Sequence, residues 1–99
     1  VRIPKQIKIG RKWYTVEVVK FSDKHGTMGN CDYNERTITV ATHSTLTRKR
    51  YKSEDVDDTF WHEVVHCILK DMDHKLESNE KFVLTFANRL TKAINSARF

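Results

Sequence analysis

Apolar and polar side chains alternate over residues 6–9, the period of a half-buried strand. Gly10-Arg11 then offers a two-residue turn of the Gly-X kind, and β-branched and aromatic residues resume over 13–21. In that second run Tyr14, Val16 and Val18 share one face and Trp13, Thr15 and Val19 the other, so the two runs predict a β-hairpin. Residues 22–29 are polar and interrupted by Gly26 and Gly29, which predicts a loop. Two further strands are expected at 28–33 and 36–41, joined by a turn near Asn34-Glu35. Ile38 and Val40 give the second a clear buried face, whereas Gly29 and Asn30 are poor strand formers and weaken the first. Residues 42–52 read as a basic loop, or the beginning of a short helix.

From Ser53 the period lengthens. Ser53 or Asp55 can cap a helix, and Glu54, Asp57 and Asp58 suit its positive N-terminal end. Apolar residues follow at 56, 60, 64, 68 and 72, and Trp61, Val65, Cys67 and Leu69 carry the apolar surface almost around the cylinder. Such a helix is buried between layers. Residues 71–78 are polar and contain the break. Ser78 or Asn79 can then cap a second helix reaching about residue 97, with Val83, Phe86, Ala87, Leu90, Ala93, Ile94 and Ala97 on one face. The expected fold is α+β, a small, mostly antiparallel sheet of about four strands packed against these two helices. No repeat, low-complexity stretch or linker divides residues 1–99, so a single domain is expected.

Three polar residues intrude on the buried helix, in the sequence His62-Glu63-Val64-Val65-His66. Residues four apart on a helix lie one above the other, so both imidazoles can reach one zinc ion at the ~2.0–2.1 Å of a Zn–N bond. A metal is the simplest partner that satisfies both together. Glu63 flanks them, where it can take a proton from a water activated by the ion. A catalytic zinc takes three protein ligands and leaves a position open. Asp73, His74, Glu77 and Glu80 are the acidic and imidazole residues at hand. Glu80 leads, because it falls at the edge of the face defined by Val83 and Ala87, one turn before them. His74 would need a sharp bend with no glycine to make it, and Glu77 sits before the cap. One zinc per chain is therefore expected, on His62, His66 and Glu80.

The net charge of +5 comes partly from Lys5, Lys8, Arg11 and Lys12, and from Arg48, Lys49, Arg50 and Lys52. The second cluster is a candidate for weak nucleic-acid contact. Cys31 and Cys67 are not spaced as a metal knuckle and are expected as reduced thiols. The start Val1-Arg2-Ile3-Pro4-Lys5 has no apolar signal core and no stretch is long enough to span a membrane, so a cytoplasmic monomer without membrane contact is expected.

The H-E-x-x-H motif followed by Asn79-Glu80 opening a second helix resembles the gluzincin branch of the zincin metallopeptidases. The likeness covers roughly residues 28–95. Small phage- or prophage-encoded and SprT-like metallopeptidase domains share the layout of strand, H-E-x-x-H helix and second helix. The resemblance implies a minimal zincin-like fold and zinc-dependent cleavage of a protein substrate, in the host cytoplasm if phage-encoded, with Glu63 as general base. It also implies an edge strand that lines the cleft and pairs with substrate, either 36–41 or its partner at 28–33. Two departures stand out. Leu84 occupies the position of the aspartate that orients a histidine in larger gluzincins, and the C-terminal subdomain with its transition-state-stabilising histidine or tyrosine is not expected within residues 1–99. Tyr14, Tyr33, His43 and Tyr51 are the candidates for that donor here. The competing reading is a non-catalytic zinc-binding module that meets protein or nucleic acid through its basic surface.

Overall fold

The alternation read from the sequence forms β1 (Gln6–Ile9) and β2 (Lys12–Val19), joined through Gly10 at φ +62°. The left-handed backbone at that turn suits glycine. β3 (Gly29–Asp32) and β4 (Thr37–Ala41) complete one sheet in the order β1-β2-β4-β3. The outer pairs are antiparallel, while β2 and β4 run parallel with Val16 opposite Ile38 and Val18 opposite Val40. This is a computed structural model, and it describes residues 3–99. The reading of Val1 and Arg2 therefore lies outside the described residues. The α+β expectation holds, and β4 is interior, leaving β3 with an edge that is free among the described residues.

One core lies between the sheet and α1 (Ser53–Asp71), built from Ile9, Tyr14, Val16, Ile38, Val40, Val56, Phe60, Val64 and Cys67. A second, smaller core joins α1 to α2 (Glu80–Ser96) through Val65, Leu69, Val83 and Ala87. α1 is thus buried on two sides, as its nearly all-round apolar surface requires. Its i+4 row does not stay in the core throughout. Each four-residue step advances about 40° around the helix, so Val56, Phe60 and Val64 are buried while Ile68 and Met72 emerge and Cys67 takes their place. On β2, Val18 shares a face with buried Tyr14 and Val16 but is half-exposed, because α1 packs on β1, β3 and β4.

Helix ends correct two expectations. The N-cap of α1 is Lys52, with no side-chain cap, and Ser53 and Asp55 fall within the first turn. At the other end Asp73 takes the left-handed position usually given to glycine, at φ +51°. The His74 N–H then donates to the Leu69 carbonyl and that of Asp73 to Lys70, a Schellman closure. A 3-10 turn (Lys75–Ser78) leads to Asn79, whose Oδ1 accepts from the Phe82 N–H and caps α2. On α2 the buried row is Val83, Ala87 and Thr91, not the wider face expected. The Thr91 hydroxyl can be buried because it donates to the Ala87 carbonyl at 2.8 Å.

The expectation of reduced thiols is also corrected. Cys31 of β3 and Cys67 of α1 are joined by a disulfide across 36 residues. Their pairing is tertiary, a strand laid on a helix, and leaves no local spacing to read. Closing a loop of that length restricts the unfolded chain by roughly 3–4 kcal/mol on the loop-entropy account.

Candidate metal centre

At about 100° per residue, His62 and His66 occupy one sector of α1, between the sector facing α2 and that of Glu63. Their rings lie 4.9 Å apart. Asn79 starts α2 so that Glu80, its first residue, faces both. His62 Nε2 is 2.6 Å from Glu80 Oε1, and His66 Nε2 is 3.1 Å from Glu80 Oε2. One ligand atom from each of the three lies within 4.8 Å of the others, a group that could hold a metal ion. The imidazoles are mostly buried, whereas Glu80 is 67% exposed, so the group opens to solvent on that side.

The hydrogen-bond inventory tests the fit. His66 Nδ1 lies 3.1 Å from the Glu77 carbonyl oxygen, and its Nε2 faces the Glu80 carboxylate. Both oxygens only accept. A neutral imidazole carries one N–H and cannot donate to both. A second ring proton at Nε2 removes the conflict, and so does a metal cation there, with Nδ1–H donating to Glu77 while Nε2 offers its lone pair. The donor set of two imidazoles and one carboxylate is one that zinc accepts.

Glu77 lies outside the three-residue group but supports His66. Its carboxylate stands 3.6 Å from His66 Nδ1 and accepts a 2.7 Å hydrogen bond from the Tyr33 hydroxyl. Burial and the Glu77 carboxylate together push the Tyr33 hydroxyl well above the usual phenol range, so it stays a donor. This support for His66 comes from the 3-10 turn and from the residue after β3. Sequence reasoning missed it, because nothing local links positions 33, 66 and 77. His74, the other ligand candidate, is occupied elsewhere, accepting from the Leu76 N–H as the cap of the 3-10 turn.

Glu63 lies under the free edge of β3. A Cβ placed on Gly29 would meet Thr59 Cγ2 at 2.7 Å and Glu63 Oε2 at 3.4 Å, so only glycine lets strand and helix approach this closely here. Burial pushes the Glu63 carboxyl up to about 7, against the lowering influence of His66 and with a further push from Glu80. A carboxyl poised there suits proton transfer near neutral pH. His62 and Glu63 also border a cleft of about 360 Å³ that Tyr51, Met28 and Leu84 help to line.

Of the four oxyanion-donor candidates, only Tyr51 lines this cleft. Tyr14 is buried in the sheet core, Tyr33 is engaged by Glu77, and His43 shares a hydrogen bond with Thr42 while packing on Phe21. The basic loop is anchored apart from the centre. The Arg48 guanidinium stacks over Phe21 at 4.3 Å, and Arg50 bridges to His43. Lys49 and Lys52 are exposed. No helix among the described residues is long and apolar enough to cross a membrane.

Comparison with protein-family models, with curated proteins and with solved structures finds no match to this chain.

Proposed function

We propose that this chain is a zinc-dependent metallopeptidase that hydrolyses peptide bonds of a protein substrate. The observation that carries the reading is the convergence of His62, His66 and Glu80 from two helices, open on one side, with Glu63 beside them under a free strand edge. A structural zinc would normally be closed by four protein ligands, and among the described residues the group has three.

Zinc held by these residues would polarise a scissile carbonyl and bring the pKa of a water toward ~7. Glu63 would accept the proton of the attacking water and deliver it to the departing amine. Glu77, steadied by Tyr33, keeps the His66 ring turned with Nε2 toward Glu80. The free edge of β3 offers backbone donors and acceptors to an extended peptide, which would hold the scissile bond over Glu63. Tyr51 is the candidate donor to the developing oxyanion. Strand 36–41 cannot share the strand-pairing role, because both its edges are already paired.

The test is zinc content of protein purified without a metal-affinity tag, followed by cleavage of a peptide library with and without chelator. About one zinc per chain and chelator-sensitive cleavage support the reading. One zinc and no cleavage of any peptide would favour the non-catalytic zinc-binding module, and no zinc would remove both.

A further inference from the structure

We propose that the cleft beside His62 and Glu63 is a subsite for a basic side chain, so that the accepted peptide carries arginine or lysine within one or two residues of the bond at the metal centre. The proposal rests on the metallopeptidase reading for the reaction, and on the cleft itself for the recognition. The cleft encloses about 360 Å³, at the small end of ligand pockets and suited to one long side chain. Met28, Tyr51 and Leu84 supply apolar wall, and Asp55 and Asp58 supply carboxylates. Among the described residues no lysine or arginine lines it, although the chain carries 18 of them against 13 acidic residues. A protein of net charge +5 thus presents its reverse sign beside the candidate centre.

The dimensions fit. Asp58 precedes His62 by four residues and Asp55 by seven, which places them about 6 and 10 Å away along the α1 axis. An extended arginine reaches on the order of 6 Å beyond its Cα, counting ~1.5 Å bonds. A residue next to the scissile bond can therefore lay its methylene stem on the apolar wall and bring its head to Asp58, with Asp55 one turn further on. Asp58 has acceptor capacity to spare, since a carboxylate offers about four lone-pair sites and the Thr91 hydroxyl 3.3 Å from it shares its single proton with the nearer Ala87 carbonyl at 2.8 Å. The hydrogen bond that Thr59 makes to Asp55 uses the backbone carbonyl and leaves the carboxylate exposed. Among the described residues no lysine or arginine is ion-paired with either carboxylate. The same charges repel phosphate, so nucleic acid is excluded from this cleft whatever the basic loop does.

The test uses the full chain, zinc-loaded and metal-free, and fluorescein-labelled alanine-based hexapeptides with one central arginine, lysine, norleucine or glutamate. Anisotropy reads binding and mass spectrometry reads cleavage. Arginine and lysine peptides should bind roughly tenfold tighter than the norleucine peptide at low salt, with glutamate weakest and the advantage shrinking as salt rises. Asp55→Asn with Asp58→Asn should erase the advantage, and the buried Thr91 hydroxyl keeps its donation to the Ala87 carbonyl in that variant. If that pair fails to fold, Leu84→Arg serves instead, since Leu84 is half-exposed and a fixed cation there should abolish the preference. Equal binding of all four peptides, or no binding by any at millimolar concentration, overturns the subsite. Cleavage with no basic preference overturns the subsite and leaves the metallopeptidase reading standing. Selective binding of basic peptides without cleavage upholds the subsite and counts against the enzyme.

Discussion

Glu63→Gln should abolish turnover, spare the metal and, in the metal-free protein above neutral pH, raise stability. Burial pushes the Glu63 carboxyl from its ordinary 4.5 up to about 7. Below pH 4.5 folded and unfolded chains both hold the proton, and the group contributes no pH dependence. Between about 4.5 and 7 the unfolded chain has lost it and the folded chain retains it, so stability falls as pH rises through that window. Above 7 the full penalty of an ionised, largely buried carboxylate is present. Each pH unit of displacement corresponds to ~1.4 kcal/mol, which sets a ceiling of roughly 3 kcal/mol. Glu63 keeps partial contact with solvent through the cleft, so about 1–2 kcal/mol is the working figure. For a domain of this size that is a melting shift on the order of 5–10 °C. Glutamine has the same shape and no charge, so its melting should change little over the same range. Thermal melts of both proteins in chelator at pH 5 and pH 8 should converge at the lower pH and separate at the higher, the variant melting later. Peptide cleavage by the zinc-loaded variant should fall at least ~10²-fold, with zinc stoichiometry retained. A variant that melts earlier than wild type at pH 8 would refute the reasoning, because Glu63 would then be a carboxylate held by a stabilising partner.

Glu80→Ala removes a candidate ligand and should weaken zinc binding by more than ~100-fold, while Glu77→Ala, which keeps the backbone carbonyl at His66, should cost about tenfold; competition with a chromophoric chelator ranks the two. Gly29→Ala forces Thr59 away from β3 and should destabilise by about 1–3 kcal/mol in a denaturant melt, with cleavage lost by displacement of the edge from Glu63. Neutralising Lys49, Arg50 and Lys52 while keeping Arg48 on Phe21 should leave melting and zinc content nearly unchanged, and any nucleic-acid binding by the wild type should be weak and steeply salt-dependent.

The helices and the first hairpin were legible because burial imposes its period on sequence. The row at 56, 60 and 64 and the row at 83 and 87 are where the chain meets its cores. The errors fall where the period alone cannot say how far a covering layer extends. Ile68 and Met72 belong to the i+4 row of α1, yet helical drift carries them past the sheet, and Val18 keeps strand alternation where no helix covers it. The turn after α1 misled for a different reason. A sharp bend without glycine looked costly for His74, but Asp73 takes the left-handed conformation at φ +51° and the Schellman hydrogen bonds compensate.

Of the candidate site, His62, Glu63, His66 and Glu80 were legible because helical phase and a cap position fix them locally. What β3 contributes was not. Its period of two, continued to Tyr33 just past its end, turns residues 29 and 31 toward α1 and residue 33 toward the 3-10 turn, and each of the three has its own bond or contact there. Gly29 admits Thr59 and Glu63 at close range, Cys31 is bonded to Cys67 next to His66, and Tyr33 reaches Glu77 behind His66. The residues between them, Asn30 and Asp32, are exposed. By propensity this was the weakest strand in the chain, because Gly29 and Asn30 disfavour extended structure. The same glycine is what lets the edge lie against the candidate base, and the disulfide and the tyrosine hold the strand where propensity would not. A segment that violates its local preference and is tied down at every inward position marks where local stability gives way to placement of a site. On this fold that segment is β3, and the groups it reaches are the candidate base and the supports of one candidate ligand.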